Sequence, residues 1–136
     1  MSESINSVLI LDDDQFLARM MADYLILSAQ CAVDLTHNEI DFWTAYQSKQ
    51  YDLIFMDYRL PKITGIEILD KLSTKGNKVP VVMMTGEGTE EIAVNAMQLG
   101  AFDYLVKGHY SFSILPSLVI KAVRLRKLQT EMEDSM

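Results

Sequence analysis

The sequence predicts an α/β fold in which five parallel strands form one sheet with helices on both faces. Two observations lead there. Short apolar runs of about five residues alternate five times with longer segments whose apolar residues recur at helical spacing. The runs are also nearly continuous in hydrophobicity, as strands covered on both faces are. Parallel neighbours then need helical, right-handed crossovers.

The first strand is read at Ser7–Leu11, a β-branched-rich run that stops abruptly at Asp12-Asp13-Asp14. A helix is predicted over Gln15–Leu27, with Asp14 as its N-cap. Its inner side is read as Phe16, Met20, Tyr24 and Leu27, with Leu17 and Met21 beside them. Cys31–Leu35 is the second strand. Asn38–Gln50 is the second helix, with Ile40, Trp43 and Tyr46 facing inward. Leu53–Met56 is the third strand and ends in Asp57. After the loop Tyr58–Thr64 a helix runs from Gly65 to Lys75, where Lys75-Gly76-Asn77 stops it. Val79–Met84 is the fourth strand and ends in Thr85. Thr89 is placed as the cap of a helix reaching Leu99, and Gly100 as the residue just past its end. Phe102–Val106 is the fifth strand and ends in Lys107. The last helix starts near Ser113 and tolerates Pro116, because first-turn amides have no intrahelical acceptor to lose.

The bulk numbers narrow the function class. A chain of 136 residues fits one domain with one core. The apolar runs are far shorter than the ~20 residues of a membrane span, and the N-terminus lacks the pattern of a secretory signal. The lone Cys31 has no internal disulfide partner, which fits a reducing, cytoplasmic setting. A net charge of -7 disfavours direct nucleic-acid binding. The one basic cluster, Lys121, Arg124, Arg126 and Lys127, is followed at once by Glu131, Glu133 and Asp134, and reads as a solvated helix face.

Chemically capable residues sit at the C-terminal ends of the strands: Asp12 and Asp13, Asp57, Thr85 and Lys107. In a parallel sheet these ends share one edge, where open α/β sheets bind ligands. If the first and third strands are neighbours, three carboxylates converge. Two of them ~5 Å apart repel by about 3 kcal/mol at an effective dielectric of 20, so the group needs a cation. Oxygen-only donors point to Mg²⁺ or Mn²⁺. Lys can hold a phosphate oxygen as a point charge, and a Thr hydroxyl can donate to another. A carboxylate is a competent nucleophile towards phosphorus, so phosphoryl transfer is the reaction class expected.

The segments Val8-Leu-Ile-Leu-Asp-Asp-Asp, Asp57-Tyr-Arg-Leu-Pro-Lys-Ile-Thr-Gly65, Val81-Val-Met-Met-Thr-Gly86 and Gly100-Ala-Phe-Asp-Tyr-Leu-Val-Lys107 closely resemble the receiver domain of bacterial two-component response regulators. The resemblance runs from about Val8 to Leu125. It implies a flavodoxin-like, doubly wound sheet of order 2-1-3-4-5. It also implies a receiver over residues 1–125 and a helical extension over 126–136. Asp57 is then the phosphoacceptor. Asp12, Asp13, Asp57 and the backbone carbonyl of Arg59 hold Mg²⁺. Thr85 and Lys107 sense the phosphoryl group, and Tyr104 is the switch aromatic. The implied partner is a sensor histidine kinase or histidine phosphotransfer protein. An output domain fused in a longer chain and a homodimer are both compatible with the family. The role is that of a signalling switch rather than an enzyme acting on other substrates.

Gly108 departs from the family, which usually has a cis proline after the lysine; a trans, more mobile loop is expected. Arg59 and Glu87 are read as a pair that could cover the phosphate. His37 and His109 lack ligand spacing and read as surface loop residues. Trp43 reads as core, and the methionines as adaptable packing. Leu125, Leu128 and Met132 form a heptad fragment. Two rivals are a degenerate receiver used as a scaffold, and a haloacid-dehalogenase-type phosphatase built on Asp12-Asp13-Asp14. The phosphatase pattern expects Thr or Val where Phe16 stands.

Overall fold

The computed structural model describes residues 5–86 and 90–135. Five strands, β1 (Ser7–Leu11), β2 (Ala32–Thr36), β3 (Leu53–Asp57), β4 (Val81–Thr85) and β5 (Asp103–Val106), form one parallel sheet of order β2-β1-β3-β4-β5. The helices are α1 (Gln15–Ala29), α2 (Glu39–Ser48), α3 (Gly65–Thr74), α4 (Glu90–Gln98) and α5 (Ile114–Asp134).

The continuous apolar runs explain the layering. In β1, Val8 and Ile10 face one side while Leu9 and Leu11 face the other, and all four are fully buried. One core joins Val8, Ile10, Leu53 and Phe55 to α1 and α5. The second joins Leu9, Leu11, Ile54 and Met56 to α2, α3 and α4. A parallel sheet survives only with both faces covered, and this chain covers both.

The predicted elements are all present, but two helix faces differ from expectation. In α1 the buried stripe is Ala18, Met21, Ala22 and Leu25, while Phe16 is 76% exposed and Leu27 82% exposed. This helix carries apolar residues on both sides, so periodicity alone admits either face. The small alanines allow a close approach to the sheet, and the large Phe16 would not. In α2 the buried residue is Phe42; Ile40 is exposed, and Trp43 and Tyr46 are half-buried against the same core. Asp14 caps α1, accepting from the Leu17 amide at 3.0 Å, as its position predicts.

The basic cluster on α5 is mostly solvated, and Arg126 ties the helix to the body by donating to the Lys78 carbonyl at 2.9 Å. Farther along α5, Leu128 and Met132 are exposed. The predicted cap Thr89 and the pairing residue Glu87 lie outside the described residues.

Gly65 sets how closely α3 approaches the end of β3. Its amide donates to the Tyr58 carbonyl at 2.7 Å. A Cβ there would lie 2.5 Å from the Asp57 carbonyl oxygen and 2.8 Å from Met83 Sδ. The first neighbour is backbone and cannot swing away. Gly65→Ala is therefore expected to lower stability by about 2–3 kcal/mol, as overpacking against fixed atoms does. Urea unfolding of both proteins checks this, and an unchanged midpoint would refute the contact.

Candidate functional site

The strand order puts β1 and β3 side by side, with β2 on the far side of β1. β1 and β3 are parallel, but the chain leaves β1 towards β2 on one side and β3 towards β4 on the other, so a crevice opens between their C-terminal ends. Asp12 follows β1 directly and is fully buried, and Asp57 is the last residue of β3 and 3% exposed. Asp13 is exposed at the rim. Carboxylate oxygens of Asp12, Asp13 and Asp57 all lie within 4.8 Å of one another. That is the cluster anticipated from the strand ends.

Lys107 enters from the end of β5, anchored by its own amide to the Thr85 carbonyl at 2.8 Å. Its Nζ lies 3.0 Å from Asp12 Oδ2, 3.2 Å from Asp12 Oδ1 and 3.1 Å from Asp57 Oδ2. One ammonium thus bridges two buried carboxylates. Burial pulls the Lys107 ammonium down, but Asp12 and then Asp57 more than offset this and hold it above an ordinary lysine. Asp57 is pushed the other way, up to about 7, first by burial and then by the charge of Asp12; Lys107 relieves it only in part. Two buried acids share one ammonium, so the cluster is short of positive charge. A divalent cation held by oxygen donors fits that deficit.

Thr85 ends β4 and is 2% exposed, and its Oγ1 is buried without a hydrogen-bond partner among the described residues. A buried hydroxyl left unpaired costs about 1–3 kcal/mol unless a ligand meets it. Asp13, Asp57, Arg59, Leu60, Pro61, Gly86 and Lys107 line a cleft of about 310 Å³, and Thr85 lines a second one that shares Arg59 and Gly86 with it. Arg59 is exposed at the rim. A groove of the same volume lies at the opposite end of the sheet among Ser73, Asn77, Val79 and Leu125, and its described lining gathers no comparable acids.

Tyr104 lies away from the cleft, 39% exposed on β5 beside Ala93, Val94 and Met97 of α4. The Lys107–Gly108 peptide is trans, as the missing proline predicts. Gly108 has φ +79°, a conformation that side-chain-bearing residues rarely adopt. His37 is where the sequence misled. It is half-buried, and its Nδ1 lies 2.9 Å from the Asp12 carbonyl oxygen. Nothing in the sequence signals this contact, because it depends on β2 lying beside β1.

Comparison with known proteins agrees with the geometry. The family model described as response regulator receiver domain matches residues 8–115. Regulatory protein AtoC of Escherichia coli K12 is 30% identical over 94% of this chain and 27% of its own length. Transcriptional regulatory protein FixJ of Azorhizobium caulinodans is 36% identical over 79% of this chain and 50% of its own. The signal receiver domain of a putative Luxo repressor protein from Vibrio parahaemolyticus superposes with a TM-score of 0.86 at 25% identity, covering 96% of this chain and 98% of that one. The chain spans from about a quarter to just over half of the length of the first curated relatives.

Proposed function

This chain belongs to the response regulator receiver domain family, and from that premise we propose that it is a switch operated by phosphorylation of Asp57. The observation that carries the reading is the single ammonium of Lys107 lying between Asp12 and Asp57, 3.0 and 3.1 Å from their carboxylates.

The donor is a phosphohistidine on a sensor histidine kinase or histidine phosphotransfer protein. One Asp57 carboxylate oxygen attacks phosphorus in line. The P–N bond breaks, and its electron pair stays with the leaving imidazole, which becomes neutral histidine on protonation. The product is an acyl phosphate on Asp57. Asp12, Asp13 and Asp57 would hold Mg²⁺ or Mn²⁺ together with the Arg59 carbonyl, and the metal ion supplies positive charge against the carboxylates and phosphoryl oxygens. Lys107 holds a phosphoryl oxygen as a point charge, and Thr85 Oγ1 donates to another.

The new group carries about -1.5 to -2 charge. It draws Thr85 and Lys107 towards it and shifts populations of α4, β5 and α5. Tyr104, half-exposed beside Val94 and Met97, is the aromatic that turns inward. The chemistry ends at the chain's own phosphoryl group. Residues 1–125 act as the receiver, and within 126–136 the last turns of α5, up to Asp134, lead towards an output domain or a second copy. Among the described residues no helix is long and apolar enough to cross a membrane; the lone Cys31, without an internal disulfide partner, supports a reducing, cytoplasmic site of action.

Acetyl phosphate with Mg²⁺ tests the reading. Mass spectrometry should locate one phosphoryl group on Asp57, and location elsewhere would overturn it. Thr85→Val separates chemistry from switching. It removes a buried hydroxyl with no partner among the described residues, so the unphosphorylated protein should be as stable as wild type or slightly more stable. Phosphorylated Thr85→Val should lose most of the amide shift changes across α4 and β5 in NMR spectra. Wild-type changes in that variant would remove Thr85 from the switch.

A further inference from the structure

We propose that His37 is a positioning residue for the acidic pair, holding the Asp12 main chain so that its carboxylate faces Asp57. This rests on Asp12 being a metal ligand.

The two main-chain groups of Asp12 are taken up by consecutive residues at the end of β2. The Asp12 amide donates to the Thr36 carbonyl at 3.0 Å. The Asp12 carbonyl oxygen lies 2.9 Å from His37 Nδ1. A carbonyl can only accept, so His37 Nδ1 carries the proton and donates. Thr36 is itself pinned, its buried Oγ1 donating to the Ile10 carbonyl at 2.9 Å. On the side chain, Asp12 Oδ1 accepts from the Asp14 amide at 2.9 Å and from Lys107. Asp12 is thus held from three directions, and the His37 bond is the only one of these that comes from the side chain of a loop residue outside the acidic cluster and Lys107. Partners that orient metal ligands contribute to affinity without touching the ion.

The test uses three substitutions on the full chain. The Nδ2 of asparagine reaches about where histidine Nδ1 lies, and the Nε2 of glutamine about where Nε2 lies. His37→Asn therefore keeps the donor, while His37→Gln misplaces it and His37→Ala removes it. Calorimetric titration with Mg²⁺ should show affinity weakened about fivefold in His37→Ala and His37→Gln, the equivalent of one ordinary hydrogen bond. His37→Asn should stay within about twofold of wild type, a small part of that same bond. In the metal-free proteins the Asp13 amide shares a peptide group with the Asp12 carbonyl. Its NMR resonance should move in the Ala and Gln variants and stay in Asn.

Equal affinities in all four proteins, or Asn as weak as Ala, would overturn the proposal. If wild type binds Mg²⁺ and labels on Asp57 while the series stays flat, only the role of His37 fails. If wild type neither binds Mg²⁺ nor labels, the reading of the whole site fails with it.

Discussion

Asp57→Asn is expected to lose phosphoryl labelling completely, whether acetyl phosphate or a kinase is the donor. An amide oxygen is a poor nucleophile and carries no charge to be balanced by Lys107. The fold should persist, because asparagine has the same shape at the end of β3, where Asp57 is 3% exposed. Full labelling of this variant would eliminate Asp57 as the acceptor.

The same substitution has a stability consequence whose sign follows from linkage. Asp57 is pushed up to about 7 by burial and by Asp12, from 3.8. The folded state therefore binds a proton that the unfolded state has released, throughout the range between those values. Where the folded state binds more protons, stability falls as pH rises. The metal-free protein should lose stability from about pH 4 to about pH 7 on this account, with the loss complete above that. An asparagine side chain cannot ionise, so the variant escapes this loss. Asp57→Asn should then melt about 7 °C higher than wild type at pH 8 without metal, on the order of 2 kcal/mol, with the gain shrinking towards pH 4.5. Added Mg²⁺ should narrow the difference at pH 8 by stabilising wild type. Thermal melts at both pH values, with and without Mg²⁺, check each part; a variant less stable than wild type at pH 8 would contradict it.

Lys107→Met is expected to carry the largest stability cost. The ammonium is the shared counter-charge of two buried acids, and its side chain is 19% exposed. Removing one partner of a buried ion pair leaves charge without compensation, at about 3–5 kcal/mol. The loss should appear at pH 8 without metal. It should shrink when Asp57 is protonated at acid pH, or when Mg²⁺ supplies the missing charge. Asp57→Asn combined with Lys107→Met should recover part of the loss, because the two changes act on one cluster and are not additive. Urea midpoints for the four proteins measure this. A Lys107→Met protein as stable as wild type at pH 8 would mean that the contacts to Asp12 and Asp57 contribute nothing.

The outlines of the fold and most of the site were legible in the chain alone. A strand buried on both faces must be almost wholly apolar, so Ser7–Leu11 and Leu53–Met56 announced themselves. Their ends were marked because the next residue had to be polar to meet the crevice. Asp12, Asp13, Asp57, Thr85 and Lys107 were found by that rule, and the structure gathers them at one edge.

Contacts made by packing emerged only in three dimensions. Which side of α1 turns inward depended on Ala18 and Ala22 fitting closely against the sheet; Phe16 and Leu27 are more hydrophobic and yet remain outside. His37 read as a surface loop residue, but the pairing of Leu11 with Thr36 brings it, half-buried, to the Asp12 carbonyl. Whether Lys107 would serve one acid or both depended on distances of about 3 Å across three strand ends. Apolar continuity and polar punctuation are properties of neighbours along the chain, so the order of residues is enough to set the elements and the chemistry at their ends. Small-residue fit, register and shared counter-charges are properties of neighbours in space, and they take their values only once the sheet and its helices are assembled.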